Sequence, residues 1–369
     1  MCFCDTFGCY NCSALIPFNN YNSLNFFMQT FKLRKYSWVK ILSLLSGSII
    51  VLTIVGFLAR FWWAFELTSH FRVQYFVLLA LFAALFAFGK KWKHVFVTAF
   101  FALVNFYLIV PYYSTKVVQA SQSTLRSLSM NLDFRNSSYD KVASLIAKTQ
   151  PDLLVLEEFT EEWEKALKNT LSTFPYSSRF SYTSPSLPYW LDNLLALLAP
   201  DSIYSKESPS LELSIGLFSH LPIEEFKTNQ LETYPIPHVK AKLKYKGKDF
   251  ILFGVHLISP VTKIRSEIRN KQLLALGNII KDLDQPTVLL GDLNSTPWSP
   301  HFKDFIQMAG LKEPRKDLGL YPTWPSWFIP IRIPIDHILV SNEITIKSFS
   351  LAHEIGSDHL PMLIDFSIG

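Results

Sequence analysis

The feature that most restricts how this chain can fold is a series of three apolar runs in its first third. Residues 41–59 contain no charged side chain, and further apolar runs cover residues 73–89 and about 95–113. A helix needs about 20 apolar residues to cross a bilayer. A buried helix of a soluble protein would show a polar stripe, which these runs lack. The pattern predicts three transmembrane helices within residues 36–114, with the bilayer as a partner.

Basic residues flank these runs unevenly. Lysine and arginine cluster before the first run, at positions 32–40, and between the second and third runs, at positions 90–93. The first connection has Arg60 and Arg72, and Lys116 and Arg126 follow the third run. Because cytoplasmic flanks have an excess of basic residues, we predict that the N-terminus is cytoplasmic. Three spans then place residues from about 115 onward on the extracytoplasmic side.

All four cysteines lie in the first twelve residues: Cys2, Cys4, Cys9 and Cys12. Their spacing fits neither a zinc site nor a palmitoylation site well. We therefore predict a disordered tail at residues 1–35, or a segment upstream of a true start at Met28. The C-terminal part has no cysteine, which excludes cysteine catalysis there and suits an oxidising compartment.

Net charge differs between the two parts of the chain. Residues 1–120 have 10 Lys/Arg and 2 Asp/Glu, whereas residues 121–369 have 25 and 28, a balance of −3. A protein that binds long nucleic acid usually shows its basic surface on the binding domain itself. The charge counts against a high-affinity nucleic-acid binder, although a nuclease remains compatible with it.

After a predicted linker at residues 115–124, residues 125–369 read as one domain of strands and helices. Strand patterns cover residues 125–131, 153–156, 214–219, 241–245, 250–255, 288–294, 335–340 and 362–366. Residues 139–150 and 265–280 have helical spacing. This mixture predicts a layered α/β architecture with sheets inside and helices outside.

Several of the predicted strands end in polar side chains. The segment Val-Leu-Leu-Gly-Asp-Leu-Asn at 288–294 places Asp292 and Asn294 on one side of a strand. Asp and Asn also end strands simply as turn residues, so this segment alone predicts little. The pattern recurs, however, at Asn131, Asp133, Glu158, His256, Asp336, Asp358 and His359. The recurrence favours a reaction site over unrelated turns.

The order and composition of these strand ends resemble the endonuclease/exonuclease/phosphatase superfamily, also called DNase I-like. The matching segments are Asn-Leu-Asp at 131–133, Leu-Glu-Glu at 156–158, Gly-Asp-Leu-Asn at 291–294, Ile-Asp-His-Ile-Leu at 335–339 and Ser-Asp-His at 357–359. The resemblance covers nearly all of residues 125–369. It implies a four-layer α/β sandwich of two packed mixed sheets, here preceded by an all-α three-helix transmembrane region.

The resemblance also implies cleavage of a phosphate ester with Mg²⁺ or Mn²⁺. Glu158 would hold the metal, with Asn131 beside it and Asp358 as a further ligand, since hard oxygen donors suit Mg²⁺. Glu157 replaces the glutamine that is common in the family. This difference leaves the choice between the two neighbouring acids open.

Five further residues take catalytic roles by the same resemblance. Asp292 would orient or deprotonate the attacking water, and Asn294 would hydrogen-bond the phosphoryl oxygen. His359 would contact the phosphate with its ring fixed by Asp336, and His256 would assist the phosphate or the leaving group.

The sequence thus predicts a membrane-anchored, metal-dependent phosphoesterase whose substrate is a nucleic acid, a phospholipid headgroup or a small phosphoester. The alternative is a catalytically silent domain that binds a lipid or a partner at the membrane. No P-loop or dinucleotide motif is present, so no cofactor beyond the metal is indicated, and no protein partner is evident.

Two apolar, aromatic insertions at residues 188–200 and 323–334 bear on the substrate. They could enter the bilayer interface, or pack as ordinary loops over the sandwich rim. Trp324 and Trp327 could equally stack on bases.

Overall fold

The N-terminal part of the protein is a group of apolar helices. The computed structural model describes residues 21–113, 124–185, 210–227 and 237–369. The helices are α1 (Tyr21–Val55), α2 (Trp63–Ser69), α3 (Arg72–Phe88) and α4 (Trp92–Ile109), with 3₁₀ turns at Gly56–Leu58 and Val110–Tyr112. α1 begins inside the segment predicted as a disordered tail, and no glycine or proline interrupts the chain between Tyr21 and Gly47.

Two of these helical stretches are long and apolar enough to cross a membrane, Trp38–Leu58 and Trp92–Tyr112. α2 and α3 together make a third if they count as one span, although they meet at an angle of 62°. Large apolar side chains of α4 such as Phe96, Leu103 and Tyr107 are more than 60% exposed, which suits a helix face turned towards lipid. The expectation of three spans therefore becomes two or three, and their orientation stays a prediction.

The C-terminal part contains a mixed sheet of six strands. They are β1 (Leu125–Asn131), β2 (Leu153–Phe159), β3 (Tyr176–Pro185), β4 (Ser210–Ser219), β10 (Ile344–Leu351) and β11 (Met362–Ile368). The order across the sheet is β10-β11-β1-β2-β4-β3. β1 and β2 are parallel, and the other neighbours are antiparallel.

A second mixed sheet has five strands in sequence order. They are β5 (Ile223–Lys227), β6 (His238–Tyr245), β7 (Lys248–His256), β8 (Thr287–Asp292) and β9 (Asp336–Val340). β7 and β8 are parallel, and the other neighbours are antiparallel. In both sheets, therefore, one parallel pair delivers two strand ends to the same edge.

Helices cover the outer faces of both sheets. α5 (Tyr139–Thr149), α6 (Glu161–Ala166) and α7 (Lys168–Leu171) pack on the six-stranded sheet, and α8 (Lys263–Lys281) and α9 (Pro300–Met308) pack on the other. α10 (Arg315–Leu318) and a 3₁₀ turn at Ile329–Ile331 lie in the connection between α9 and β9.

The period of two along each strand explains the layers. In β8, Val288 and Leu290 belong to the apolar core between the sheets, whereas Leu289 packs with α8 and α9. In β2, Val155 faces the other sheet and Leu154 faces α5. The predicted four-layer α/β sandwich of two mixed sheets is confirmed. The insertion at 188–200 and most of the predicted linker lie outside the described residues.

Candidate functional site

The strand register brings three of the predicted site residues side by side. In the five-stranded sheet His256 pairs with Asp292, and Asp292 pairs with Asp336 on the opposite side. In the other sheet Asn131 at the end of β1 pairs with Glu157 in β2. The two sheets meet where Glu157 Oε2 accepts a hydrogen bond from the backbone N–H of Asp292, 2.9 Å away.

Gly291 makes this close approach possible. It has φ +133°, and a Cβ there would collide with the carbonyl oxygen of Val255 and lie 3.0 Å from Glu157 Oε1. Residues with a Cβ atom rarely adopt this φ angle. Glycine therefore suits both the backbone conformation and the short distance to Val255 and Glu157.

The Asp292 carboxylate is oriented by the residue two positions after it. Asn294 donates its backbone N–H to Asp292 Oδ1 at 2.7 Å and its side-chain amide to Asp292 Oδ2 at 2.9 Å. The same amide nitrogen also donates to the Leu257 carbonyl oxygen at 2.8 Å. Both amide hydrogens of Asn294 are thus used inside the protein, so a bond from this amide to a phosphoryl oxygen would replace one of them.

His359 and Asp336 form a buried acid–imidazole pair. His359 Nδ1 lies 2.9 Å and 3.1 Å from the two Asp336 carboxylate oxygens. Burial opposes the charged imidazole, but the Asp336 carboxylate outweighs it and raises the pKa of His359 well above its ordinary value. Burial likewise opposes the charged Asp336, and the neighbouring His359 ring keeps the pKa of Asp336 below its ordinary value. The pair is therefore ionic, with a cationic ring facing the site.

Glu158 and Asn131 lie at the exits of the parallel strands β2 and β1. The pairing of β2 with β4 shifts register between Leu156 and Phe159, and Glu158 has φ +52°. This bulge turns Glu158 away from the alternation, so its Oε1 accepts from Asn131 Nδ2 at 3.2 Å and its Oε2 accepts from the Phe134 N–H at 3.1 Å. Burial and the nearby Asp358 raise the pKa of Glu158 to about 7.

Two imidazole nitrogens join these groups into one site. His256 Nε2 lies 3.7 Å from both Glu158 Oε1 and Asp292 Oδ2. His359 Nε2 lies 3.9 Å from both Asp292 Oδ2 and Asp358 Oδ1. Together with Asn131, Asn294 and Asp336, all eight residues predicted from the sequence therefore lie in one cluster.

His256 is the neutral imidazole of the two. Burial, together with the cationic His359, lowers the pKa of His256 to about 4. The Tyr182 hydroxyl lies 2.7 Å from His256 Nδ1. A neutral ring that accepts from Tyr182 at Nδ1 has its proton on Nε2, facing Glu158 and Asp292.

Sequence reasoning assigned no role to Tyr182 and Arg135, and it named Glu157 only as an alternative to Glu158. The structure shows that Glu157 joins the two sheets beneath Asp292, and its alternation with Val155 was the signal that it faces inwards. Arg135 pairs with Asp133 at 2.8 Å and lies 3.8 Å from Asp358. No sequence motif indicates Tyr182, because only the pairing of β3 with β4 brings it to the site.

The donor chemistry fits a divalent cation. Glu158, Asp358 and Asn131 offer carboxylate and amide oxygens, and burial, followed by the nearby Asp358 carboxylate, raises the pKa of Glu158, a penalty on its charge that a bound cation would offset. In the part of the chain that the structure describes, Asp292, Asp336 and His359 also have potential ligand atoms within 4.8 Å of one another. There, however, His359 Nδ1 already contacts Asp336, so we interpret this second group as the acid–imidazole pair beside Asp292.

A family model and solved structures match this chain. The model of the Endonuclease/Exonuclease/phosphatase family matches residues 128–359, more than half of the chain. TDP2 from D. rerio, complexed with single-strand DNA product, is 18% identical over 67% of this chain and 100% of that chain, with a TM-score of 0.51. The human Nocturnin catalytic domain with bound sulfate anion is 19% identical over 70% and 99%, with a TM-score of 0.50.

A third solved structure is the endonuclease/exonuclease/phosphatase from Beutenbergia cavernae DSM 12333. It is 17% identical over 67% of this chain and 72% of that chain, with a TM-score of 0.50. At such identities the likeness establishes the fold alone. No curated protein sequence matches this chain significantly.

Proposed function

Because this chain belongs to the Endonuclease/Exonuclease/phosphatase family, we propose that it is a membrane-anchored, divalent-metal-dependent phosphoesterase. The observation that supports this most is the convergence of Glu158, Asp292 and Asp358 around the two imidazole nitrogens of His256 and His359. Anionic phosphate esters resist attack, so a catalyst needs positive charge and an oriented water. In this cluster His359 supplies the positive charge, and Asp292 would orient the water.

The metal site of this proposal consists of Glu158, Asp358 and Asn131. Bound Mg²⁺ or Mn²⁺ would neutralise phosphate charge at this edge of the sheets. Burial and the nearby Asp358 both disfavour the ionised form of Glu158. The cation would favour this ionised form.

Asp292 is the proposed group that orients or deprotonates the attacking water. Asn294 holds both oxygens of this carboxylate in place and, after exchanging one internal bond, can donate to the phosphoryl oxygen. His359, kept cationic by Asp336, contacts a phosphate oxygen. His256, neutral and with its proton on Nε2, is placed to donate to the leaving group.

The test uses the full-length protein in detergent micelles with Mg²⁺ or Mn²⁺. We expect Asp292→Ala and His359→Ala each to reduce hydrolysis of a phosphodiester by about a thousandfold, within the range for lost acid–base groups. Lys141→Ala is the matched control, because Lys141 is exposed and lies 3.9 Å from the exposed Glu354. Full activity of either site variant would contradict the proposal. Wild-type protein that hydrolyses no phosphodiester would favour the silent, lipid- or partner-binding alternative.

Among phosphate esters, we propose a substrate that is held at the membrane surface. An apolar loop, formed by Trp327, Phe328, Ile329 and Ile331, is exposed to solvent, with Trp327 72% and Ile329 74% accessible. Such exposed groups are typical of surfaces that enter a bilayer interface.

The apolar loop is joined to both the site and the membrane helices. Before it, Trp324 Nε1 donates to Asp358 Oδ2 at 3.1 Å. After it, the Arg332 carbonyl oxygen accepts from Gln74 Nε2 at 3.0 Å, and Gln74 lies in the first turn of α3. These two contacts support the proposal that a phosphate group at the surface of the same bilayer can reach the site.

One preparation tests this substrate class on two substrates. We expect faster hydrolysis of mixed phospholipid vesicles than of plasmid DNA. We expect the double variant Trp327→Ala/Ile329→Ala to slow the hydrolysis of vesicles and to leave the hydrolysis of plasmid DNA unchanged. Hydrolysis of a small soluble phosphodiester by the same variant is the control. It should stay unchanged, because none of the predicted site residues belongs to the apolar loop. Preferential cleavage of DNA, unaffected by the loop variant, would instead favour a nuclease.

A further inference from the structure

The helical region packs against the segment 294–299, which directly follows the Gly-Asp-Leu-Asn segment. His70, between α2 and α3, has its Nδ1 2.8 Å from Thr296 Oγ1. Trp298 Nε1 donates to the Leu108 carbonyl oxygen in α4 at 3.1 Å. Thr296 and Trp298 are both buried. The loop that leaves the catalytic strand is therefore enclosed by the membrane helices.

A buried ion pair lies at the centre of this interface. Glu66 in α2 accepts from Arg269 Nη2 at 2.6 Å and from Ser299 Oγ at 2.5 Å, all through its Oε1. The side chains of Arg269 and Glu66 are 0% and 1% exposed. The second terminal nitrogen of the Arg269 guanidinium, Nη1, donates to the backbone carbonyl oxygen of Asn294 at 2.7 Å. One guanidinium thus connects α2 of the helical region to a predicted site residue.

The backbone of Asn294 needs such support. Its φ of +47° lies in the left-handed region, which asparagine adopts more readily than most residues but still at a cost in free energy, so surrounding contacts help to hold it there. This conformation lets its N–H and its amide reach the two oxygens of Asp292. Arg269, in turn, is a fully buried cation whose charge Glu66 balances, and a buried cation without its counter-charge is strongly unfavourable.

We propose that Glu66 and Arg269 are positioning residues, through which the helical region holds Asn294 and Asp292 in their catalytic geometry. The helices then support the geometry of the active site in addition to anchoring the protein in the membrane. The kinetic part of this inference rests on the proposed function, whereas the effect on the loop can be measured without any activity.

The first experiment compares Glu66→Gln and Arg269→Lys in the full-length protein. Glu66→Gln keeps the size of the side chain and removes its charge, whereas Arg269→Lys keeps the charge and removes the branched guanidinium that contacts both Glu66 and Asn294. We expect kcat to fall about ten- to a hundredfold, as for a small misplacement of catalytic groups, and KM to stay within about twofold. The control is Arg60→Ala, which breaks the exposed Arg60–Asp304 pair between the same two parts. Unchanged kcat in both pair variants, or an equal loss in the control, would overturn the proposal.

A charge exchange separates positioning from simple anchoring. Glu66→Arg combined with Arg269→Glu restores an ion pair, but a carboxylate at position 269 cannot donate to the Asn294 carbonyl oxygen. We expect the Tm to recover towards that of the wild type while kcat stays low. Recovery of both the Tm and kcat would show that the ion pair only anchors the helical region to the sandwich domain. If the exchanged protein does not fold, Arg269→Lys and the following measurement decide.

Amide hydrogen exchange gives a readout that needs no substrate. We expect Glu66→Gln to speed exchange across residues 293–299, and Arg60→Ala to leave it unchanged. If the wild-type protein hydrolyses no phosphate ester but Glu66→Gln still speeds exchange, the positioning contact is supported and only the proposed function is contradicted. Unchanged exchange in Glu66→Gln would overturn the positioning contact.

Discussion

At the scale of single residues, Gly291 joins the backbone of the catalytic strand to the acid beneath it. Gly291→Ala would place a Cβ against the Val255 carbonyl oxygen at φ +133°. We expect the free energy of unfolding to fall by about 3 kcal/mol, from strain and overpacking together. The control is Gly247→Ala, where φ is +81° but no atom lies within 4 Å of the Cβ, with an expected cost of about 1 kcal/mol. Urea unfolding measures both, and equal losses would contradict the role of the close contact.

The Asp336–His359 pair predicts a specific change in proton affinity. Burial opposes the cationic form of His359, and Asp336 raises its pKa in spite of this. Asp336→Asn removes the raising charge and leaves the burial, so the titration midpoint of the His359 ring should move to lower pH. NMR titration of the imidazole, with His359→Ala to assign its signal, measures this shift. A midpoint that does not move would show that Asp336 does not set the charge of the ring.

At the scale of elements, the bulge in β2 gives two consecutive acids different environments. Regular alternation would send Glu157 and Glu158 to opposite faces of the sheet. The register shift instead leaves Glu157 between the sheets, under Asp292, and turns Glu158 towards Asn131 at the site. This irregularity in one strand therefore favours Glu158 over Glu157 as the proposed metal ligand, the choice that the sequence left open.

This difference predicts opposite outcomes for two glutamine substitutions. Glu158→Gln should weaken Mn²⁺ binding at least tenfold, because it removes a proposed ligand. Glu157→Gln should leave Mn²⁺ binding within about twofold, because burial and then the Asp336 and Asp292 carboxylates raise the pKa of Glu157 well above its ordinary value and keep it uncharged. Calorimetric titration measures both affinities. Equal losses would place both acids at the metal.

The same pKa shift predicts how stability depends on pH. Because the folded-state pKa of Glu157 is raised, its contribution to stability is fully present below the ordinary pKa of glutamate and is lost as pH rises through the folded-state value. Glu157→Gln removes this loss. The free energy of unfolding of the variant, from urea titrations at pH 5 and pH 8, should therefore fall less with pH than that of the wild type. A steeper fall in the variant would contradict the buried, protonated state of Glu157.

At the scale of the whole molecule, the distribution of basic residues predicts a topology. With the N-terminus in the cytoplasm and three spans, the sandwich domain lies on the extracytoplasmic side. Protease added to sealed membranes from the cytoplasmic side should then spare residues 125–369, and protease added from the other side should degrade them. Opening the membranes with detergent is the control for intrinsic resistance. Cleavage of this domain from the cytoplasmic side alone would contradict the prediction, as would an even number of spans.

The sequence by itself determined the architecture, and it predicted the residues of the candidate site. Uncharged runs of about 20 residues restrict a helix to few environments, and alternating strands that end in polar groups restrict a domain to layered sheets. The segments around Asn131, Glu158, Asp292 and His359 are local, so they can be recognised without knowledge of any contact between them. That is why all eight residues could be predicted before their geometry was known, and their catalytic and metal-binding roles stay predictions.

Only the tertiary structure decided what surrounds the Gly-Asp-Leu-Asn segment. Glu66 and Arg269 are 203 positions apart in the chain, and neither belongs to a local motif. Tyr182 also belongs to no local motif, and its hydroxyl contacts His256 from the opposite sheet. Contacts between distant segments depend on how the sheets and helices pack, and packing is a property of the whole chain. The sequence therefore predicted the groups that would act on a phosphate ester, and the fold determined which other groups hold them in place.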